Sequence, residues 1–322
     1  MSTPIASQLF ASAPAAVPWG ECAAVATALC WAATSLFFGF AARRVGALAV
    51  NQFRLLGAVA VLLVAHAVAV GGLWPSGLPA ERLGLLAASG VLGLTVGDLG
   101  YFHALGALGP RLSSVLQATW PAMALLLALG RELPSALQVG GLLLTMAGVV
   151  LVLLRTREGT SWGAALTPRQ RRVAIAAALL GAFGQAAGMV LSRAAMQQGP
   201  DLPEGVAPLS ATLVRMVAGL GGMVVLGALQ GRLGAFVRVV RGGALGPTLL
   251  GTLFGPVVGV WLSMVAARYA DSAGAAAALM ATTPLFLLPV ARFAYGARVG
   301  LLAVFGTLLA VAGSALLLLA GR

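Results

Sequence analysis

The sequence predicts an all-α integral membrane protein: ten transmembrane helices forming two inverted five-helix repeats. Three observations carry that reading. The chain of 322 residues is 60% hydrophobic and only 9% charged, with a mean hydropathy of +0.99, far from a soluble domain. Apolar runs of roughly 20 residues, the length that crosses a bilayer core, follow one another with short loops between them. Finally, Ala118-Thr119-Trp120-Pro121 is echoed 163 residues later by Ala281-Thr282-Thr283-Pro284, with the surrounding landmarks in register.

Taken in order, residues 1–19 read as a flexible Ala/Ser/Pro-rich tail. The first 42 residues carry no Arg or Lys, so the basic n-region of a signal peptide is not expected. The first repeat, 20–154, holds spans at 20–42, 46–70, 82–103, 110–129 and 135–154. A polar linker follows at 155–172, with Glu158, Gly159, Pro168 and Gln170. The second repeat, 173–322, holds spans at 173–196, 208–229, 245–267, 273–293 and 299–320. Its first loop carries Asp201 and Glu204.

The two halves match segment by segment. Ala28-Leu29 corresponds to Ala178-Leu179, and Arg54-Leu55-Leu56-Gly57 to Arg215-Met216-Val217-Ala218. Gly93 and Gly97 correspond to Gly255 and Gly259. Gly130-Arg131 leads to Gly148 as Gly296 leads to Gly313. Five spans per unit is an odd number, so the second unit must insert upside down relative to the first. Secondary transporters are built this way.

The net charge of +12 does not point to nucleic acid, because the basic residues sit in ones to threes at the ends of apolar runs, where they meet lipid headgroups. All twenty are arginine. Without lysine there is no P-loop and no Schiff-base chemistry. Cys22 and Cys30 are eight apart on one helix, His66 and His103 lie on different helices, and no GxSxG or GxGxxG occurs. Neither enzyme chemistry nor a cofactor or metal is expected. Loops 1–2, 3–4, 5–6, 7–8 and 9–10 hold thirteen arginines and the remaining loops and C-terminus five, which places those loops in the cytoplasm and both termini outside.

The candidate site residues are polar groups at membrane depth. Asp98 suits a proton- or cation-coupling group facing a cavity, or an interfacial carboxylate bonded structurally. Tyr101, three residues on, shares its face. Arg54 and Arg215 read either as a carboxylate- or phosphate-binding pair or as side chains snorkelling to the headgroups. Pro121 and Pro284 free the carbonyls of Gln117 and Met280, which need a ligand or a back-bonding hydroxyl from Thr119 or Thr283. Ser113, Gln117 and Trp120 make one polar-aromatic stripe, and Thr27, Trp31, Thr34 and Phe38 another. Gln185 sits among Gly181, Gly184 and Gly188, small residues that admit a close neighbour. With Trp261, Thr282 and Thr283, these describe either a cavity for a small amphiphilic solute or interhelical packing.

The run Trp31 to Phe38, the stretch Gly97-Asp98-Leu99-Gly100-Tyr101-Phe102-His103-Ala104-Leu105, the block ending Gly130-Arg131-Glu132 and the repeated Pro121 and Pro284 resemble bacterial drug/metabolite transporters of the EamA type. The resemblance covers residues 20 to 320. It implies a secondary transporter, often an exporter of amino acids or related metabolites, with its cavity between the repeats. The chain departs from the family at its Gly-Glu-Arg turns, which here read Gly130-Arg131-Glu132 and Gly296-Ala297-Arg298. Eukaryotic relatives are pictured with both termini cytosolic, against the arginine count. The expected function is alternating-access transport of a small organic metabolite, amino-acid-like or amphiphilic, out across the cell membrane. Membrane lipids surround the protein, and a proton is a candidate coupling ion. The alternative is a flippase of a lipid or lipid-linked precursor, for which Arg54 and Arg215 would face inward. Oligomeric state is left open.

Overall fold

The computed structural model describes residues 19–128, 135–155, 166–270, 276, 279–287 and 300–319. The tail through residue 18, the Gly130-Arg131-Glu132 and Gly296-Ala297-Arg298 turns and most of the central linker lie outside the described residues. The described elements are helical: α1 (Trp19–Val45), α2 (Ala47–Val70), α3 (Ala80–Leu108), α4 (Pro110–Gln117), α5 (Trp120–Ala128), α6 (Ala136–Arg155), α7 (Pro168–Met196), α8 (Pro208–Leu229), α9 (Val237–Arg241), α10 (Leu245–Tyr269) and α11 (Leu301–Leu319). Extended pairing among the described residues is limited to a bridge between Gly199 and Leu202. Six helices, α1, α2, α3, α7, α8 and α10, are long and apolar enough to cross a membrane, and α6 and α11 contain shorter apolar stretches.

Local chemistry sets the boundaries. Gly46, at φ +89°, turns the chain between α1 and α2, where a side chain would be strained. Thr167 and Gln170 form a capping box at the start of α7, and Pro208 opens α8 at a position where its missing N–H costs nothing. The outer surface is apolar, with Val64, Val68, Leu143, Val225, Leu229 and Leu301 all exposed. Lipid is the solvent that accepts such a surface.

The halves interlock by exchange. α1 packs along α10 of the second half, and α7 of the second half packs along α3 of the first. α2 meets α8, and α6 lies along α11. The α6–α11 contact is reciprocal: a Cβ on Gly148 would come within 2.4 Å of the Ala310 nitrogen, and one on Gly313 within 2.3 Å of the Thr145 nitrogen. Between α3 and α7 the helices approach through Gly97 and Gly184, where a Cβ on Gly184 would lie 2.7 Å from the Gly97 Cα.

One feature of both halves escaped sequence reading. The middle of α3, Val91–Gly97, and the matching part of α10, Leu253–Gly259, are wide i→i+5 π-helical segments. Such a segment carries extra residue per turn, shifts the register of everything beyond it, and loosens the backbone ladder. Side chains tie the segment to its neighbours: Asn51 Nδ2 donates to the Leu94 carbonyl at 3.1 Å, and Thr95 Oγ1 donates to the Gly219 carbonyl of α8 at 2.9 Å. In α10 the segment contains Pro256, which has no N–H to offer.

The two prolines correct an expectation. They were expected to kink continuous helices. Instead the chain breaks before each one, at Ala118-Thr119 and at Ala281-Thr282, and the proline falls at the start of a new helical segment. That is the place where proline is best tolerated. Thr119 Oγ1 donates to the Leu116 carbonyl at 2.8 Å, and Thr283 Oγ1 to the Met280 carbonyl at 2.8 Å. Hydroxyl back-bonding therefore satisfies the carbonyl that Pro284 frees.

One end of the bundle is tied by arginines. Arg82 at the start of α3 grips Asp201 at 2.6 Å through both Nε and Nη2 and also donates to the carbonyls of Ala195 and Gln197. Arg268 donates to the carbonyls of Val206 and Glu204. The Arg82 hydrogen bond holds the Asp201 carboxyl below the usual carboxylate range, so the tie is lost only as pH falls through that lowered value.

Substituting Gly184→Ala drives a methyl group into α3, whereas Gly84→Ala on α3 meets nothing within 4 Å. Thermal unfolding in detergent is expected to show Gly184→Ala destabilised by ~1–3 kcal/mol and Gly84→Ala unchanged or slightly stabilised. Equal melting temperatures would refute the close α3–α7 contact.

Candidate functional site

Between the halves lies a cavity, partly open at its mouth and lined by residues of both. The first half contributes Trp31, Thr34, Ser35 and Phe38 from α1, Arg54 from α2, Asp98, Tyr101 and Phe102 from α3, and Ser114, Gln117 and Trp120 from α4 and α5. The second half contributes Gln185, Arg215, Pro256, Val260 and Ser263, with Met280, Thr283 and Pro284 from residues 279–287. Stripes at helical spacing on several helices thus converge on one space.

Arg54 is the best-satisfied charge in it. Its Nη2 pairs with Asp98 Oδ2 and its Nε donates to Asn51 Oδ1 at 2.7 Å. The guanidinium lies 4.8 Å from the Phe102 ring centroid and 5.9 Å from that of Phe38, within cation–π range. At 2% exposure Arg54 does not snorkel, and neither does Arg215, also 2% exposed. The interfacial reading of both is corrected. A position two turns into a helix would let the side chain reach headgroups, but the Asp98 carboxylate and the aromatic faces offer Arg54 more.

Tyr101 shares the cavity with Asp98 but bonds elsewhere. Its hydroxyl is 2.9 Å from both Ser35 Oγ and Ser114 Oγ, so one hydroxyl chain links α1, α3 and α4. Neither serine was singled out from the sequence; Ser114 neighbours the Ser113 of the predicted stripe. Four buried polar atoms have no hydrogen-bond partner among the described residues: Thr34 Oγ1, Ser113 Oγ, Gln117 Oε1 and Arg215 Nε. Three of those four residues line the cavity, and unpartnered buried polar atoms beside a cavity are what a ligand or water is recruited to satisfy.

Of the remaining candidates, Trp31, Thr34, Gln117, Trp120, Gln185, Thr283 and Pro284 stand on the cavity wall. Trp261, Thr282 and Pro121 do not. Trp261 follows the lining residue Val260, and one residue turns a helix by about 100°, which leaves it half-buried against the cluster that contains Met264. Thr282 donates its hydroxyl to the Leu279 carbonyl at 2.6 Å within the turn. His103 is exposed near the end of α3.

The model of the EamA-like transporter family matches the chain twice, over residues 18–154 and 172–319. The chain belongs to the EamA-like transporter family. Its members are membrane transporters of small solutes rather than enzymes, and this EamA-like chain is accordingly a multi-pass membrane protein. No curated protein matches. Among 21 matching chains of solved structures, one crystal structure of a protein is 18% identical, covering 93% of this chain and 96% of that one, with a TM-score of 0.59. At that identity the likeness shows the shared fold.

Removing one partner of a buried ion pair strands the other, at a cost of about 3–5 kcal/mol. Asp98→Asn is therefore expected to destabilise the EamA-like protein by that order. The double variant Asp98→Asn/Arg54→Gln should be more stable than Asp98→Asn alone. A double-mutant cycle by thermal unfolding checks this, and additive losses would contradict the pairing.

Proposed function

We propose that this EamA-like protein is a secondary transporter that exports a small organic metabolite across the cytoplasmic membrane by alternating access. The observation that carries the proposal is the cavity to which both halves contribute, bounded by helices that each half lends to the other. Rocking one half against the other exposes such a cavity alternately to the two sides. On this reading ten spans form two inverted repeats, 20–154 and 173–322, joined by the linker 155–172.

The arginine distribution supports an orientation with both termini outside. Arg43, Arg44, Arg169, Arg171, Arg172, Arg232, Arg238 and Arg241 cluster where α1, α8 and α9 end and α7 begins, the end assigned to the cytoplasm. At the opposite end Arg82, Arg193 and Arg268 are spent on backbone carbonyls and Asp201. Asp98 is the group proposed for proton coupling, since taking up a proton would release Arg54 from its counter-charge.

The inward-facing arginines also suit the second reading, a flippase of a lipid or lipid-linked precursor. It is the weaker one, because Asp98 pairs with Arg54 and leaves one cation without an ion-pair partner among the described residues of the lining.

In proteoliposomes, the purified protein is expected to exchange labelled small metabolites, with accumulation driven by a pH gradient. Asp98→Asn should keep exchange and lose the gradient dependence. Movement of a labelled lipid without any soluble solute would favour the flippase, and movement of neither by folded protein would refute transport. Trp120→Thr, which copies the Thr283 of the second half, should alter the range of solutes carried. An unchanged solute profile would remove Trp120 from the selectivity role.

A further inference from the structure

Arg54 and Arg215 occupy equivalent positions in the two halves, yet their surroundings differ in a definite way. In the register that aligns these two arginines, Asn51 falls on Thr212. In the register that aligns Gly97 with Gly259, Asp98 falls on Val260 and Phe102 on Met264. In the register of the first helices, Phe38 falls on Gly188. Every group that satisfies Arg54 is thus replaced around Arg215 by one that cannot do the same. Thr212 turns its hydroxyl back to the Pro208 carbonyl at 2.7 Å, and Val260 brings no charge. Where Phe38 stood there is only the hydrogen of Gly188.

Arg215 is left with the Met264 sulfur, 3.2 Å from Nη1, the through-space attraction of an Asp98 carboxylate that Arg54 already holds, and an Nε with no partner among the described residues. Its guanidinium sits in a slot between helices: a methyl group at Gly188 or Gly93 would come to 3.3 or 3.4 Å of Nη2. A thioether is a weak acceptor. A buried cation so poorly compensated is costly, and it lines the same cavity that holds the unpartnered Gln117 Oε1 and Thr34 Oγ1.

We propose that Arg215 is the subsite for the carboxylate of an organic monoanion, the ligand supplying in the second half the counter-charge that Asp98 supplies in the first. This deepens the transporter reading and rests on its assignment of the cavity as the solute site. Among the described residues the charged groups on the cavity wall are Arg54, Asp98 and Arg215, which leave a single positive charge for the ligand to match. A guanidinium presents paired N–H donors that fit a carboxylate. Trp31, Phe38, Trp120 and Met280 give the rest of the wall an apolar character, so the body of the ligand is aromatic or aliphatic. A zwitterion is served less well, because the one carboxylate among the described lining residues is held by Arg54.

The test is equilibrium binding by titration calorimetry on the full chain in detergent, using acids paired with their neutral amides: phenylacetate with phenylacetamide, 3-phenylpropanoate with its amide, and hexanoate with hexanamide. At least one acid is expected to bind ten-fold or more tightly than its amide. Arg215→Gln should erase that preference with the melting temperature retained. Val260→Asp, which installs a carboxylate on the cavity wall at the position equivalent to Asp98, should erase it as well, and Val260→Asn should reduce it less. The Val260 pair decides the matter if the arginine variant fails to fold. Equal binding of every acid and amide, or a preference that survives Arg215→Gln, overturns the proposal. Phenyl phosphate binding more tightly than phenylacetate would overturn the carboxylate assignment. Binding is read here without transport: a protein that selects acids but moves nothing refutes the carrier and keeps the subsite, and one that carries neutral solutes without acid preference does the reverse.

Discussion

A guanidinium removed from both water and lipid headgroups has to be neutralised by what lies within reach, and that requirement organises the centre of this protein. Arg54 draws three helices together: Asn51 on its own helix α2, Asp98 and Phe102 on α3, and Phe38 on α1. The arrangement works only if Asp98 faces inward at the right height, directly after the π-helical segment of α3. The widened turn costs backbone hydrogen bonds, and the same neighbourhood repays them, since Asn51 bonds both Arg54 and the Leu94 carbonyl. One asparagine serves the charge and the widened backbone together.

Close approach is the second constraint. Glycine faces on α3 and α7 let the two helices meet almost backbone to backbone, and the reciprocal contacts of Gly148 and Gly313 do the same for α6 and α11. Apolar side chains gain little from leaving lipid, so helices in a membrane are held by such shape fitting and by interhelical hydrogen bonds. Surfaces without interlocking side chains also slide more readily than knobbed ones. In the proposed rocking cycle, the glycine contacts would be the bearing and the charged cavity the load.

Much of the cavity was legible beforehand. Trp31, Thr34, Asp98, Tyr101, Gln117, Trp120 and Gln185 were singled out because polar and aromatic residues inside apolar helices are expensive unless they face each other, and all of them line it. Trp261 was misplaced because a helical pattern does not reveal which of two inward faces meets the cavity and which meets a neighbouring helix. For the arginines the sequence leaves two readings open, an anion-binding pair or snorkelling, because their depth permits both. What decided against snorkelling was the Asp98 carboxylate, 44 residues away in sequence from Arg54, a distance over which no local pattern carries information. Ser35 and Ser114 gave no signal, since an isolated serine in an apolar helix is ordinary packing.

The sequence by itself determined the class of molecule. Composition, apolar run length and an internal repeat are properties of the chain, and each has one physical interpretation in a bilayer: helices whose backbone bonds close internally. The placement of arginines at run ends and the matching glycines belong to the same level. Tertiary structure alone decided which half supplies the neighbour of each helix, where the backbone widens, and how two equivalent arginines came to differ. Those outcomes depend on groups far apart in sequence competing for the same partners at short range. Arg54 is buried with its counter-charge beside it, and Arg215 is buried facing a cavity.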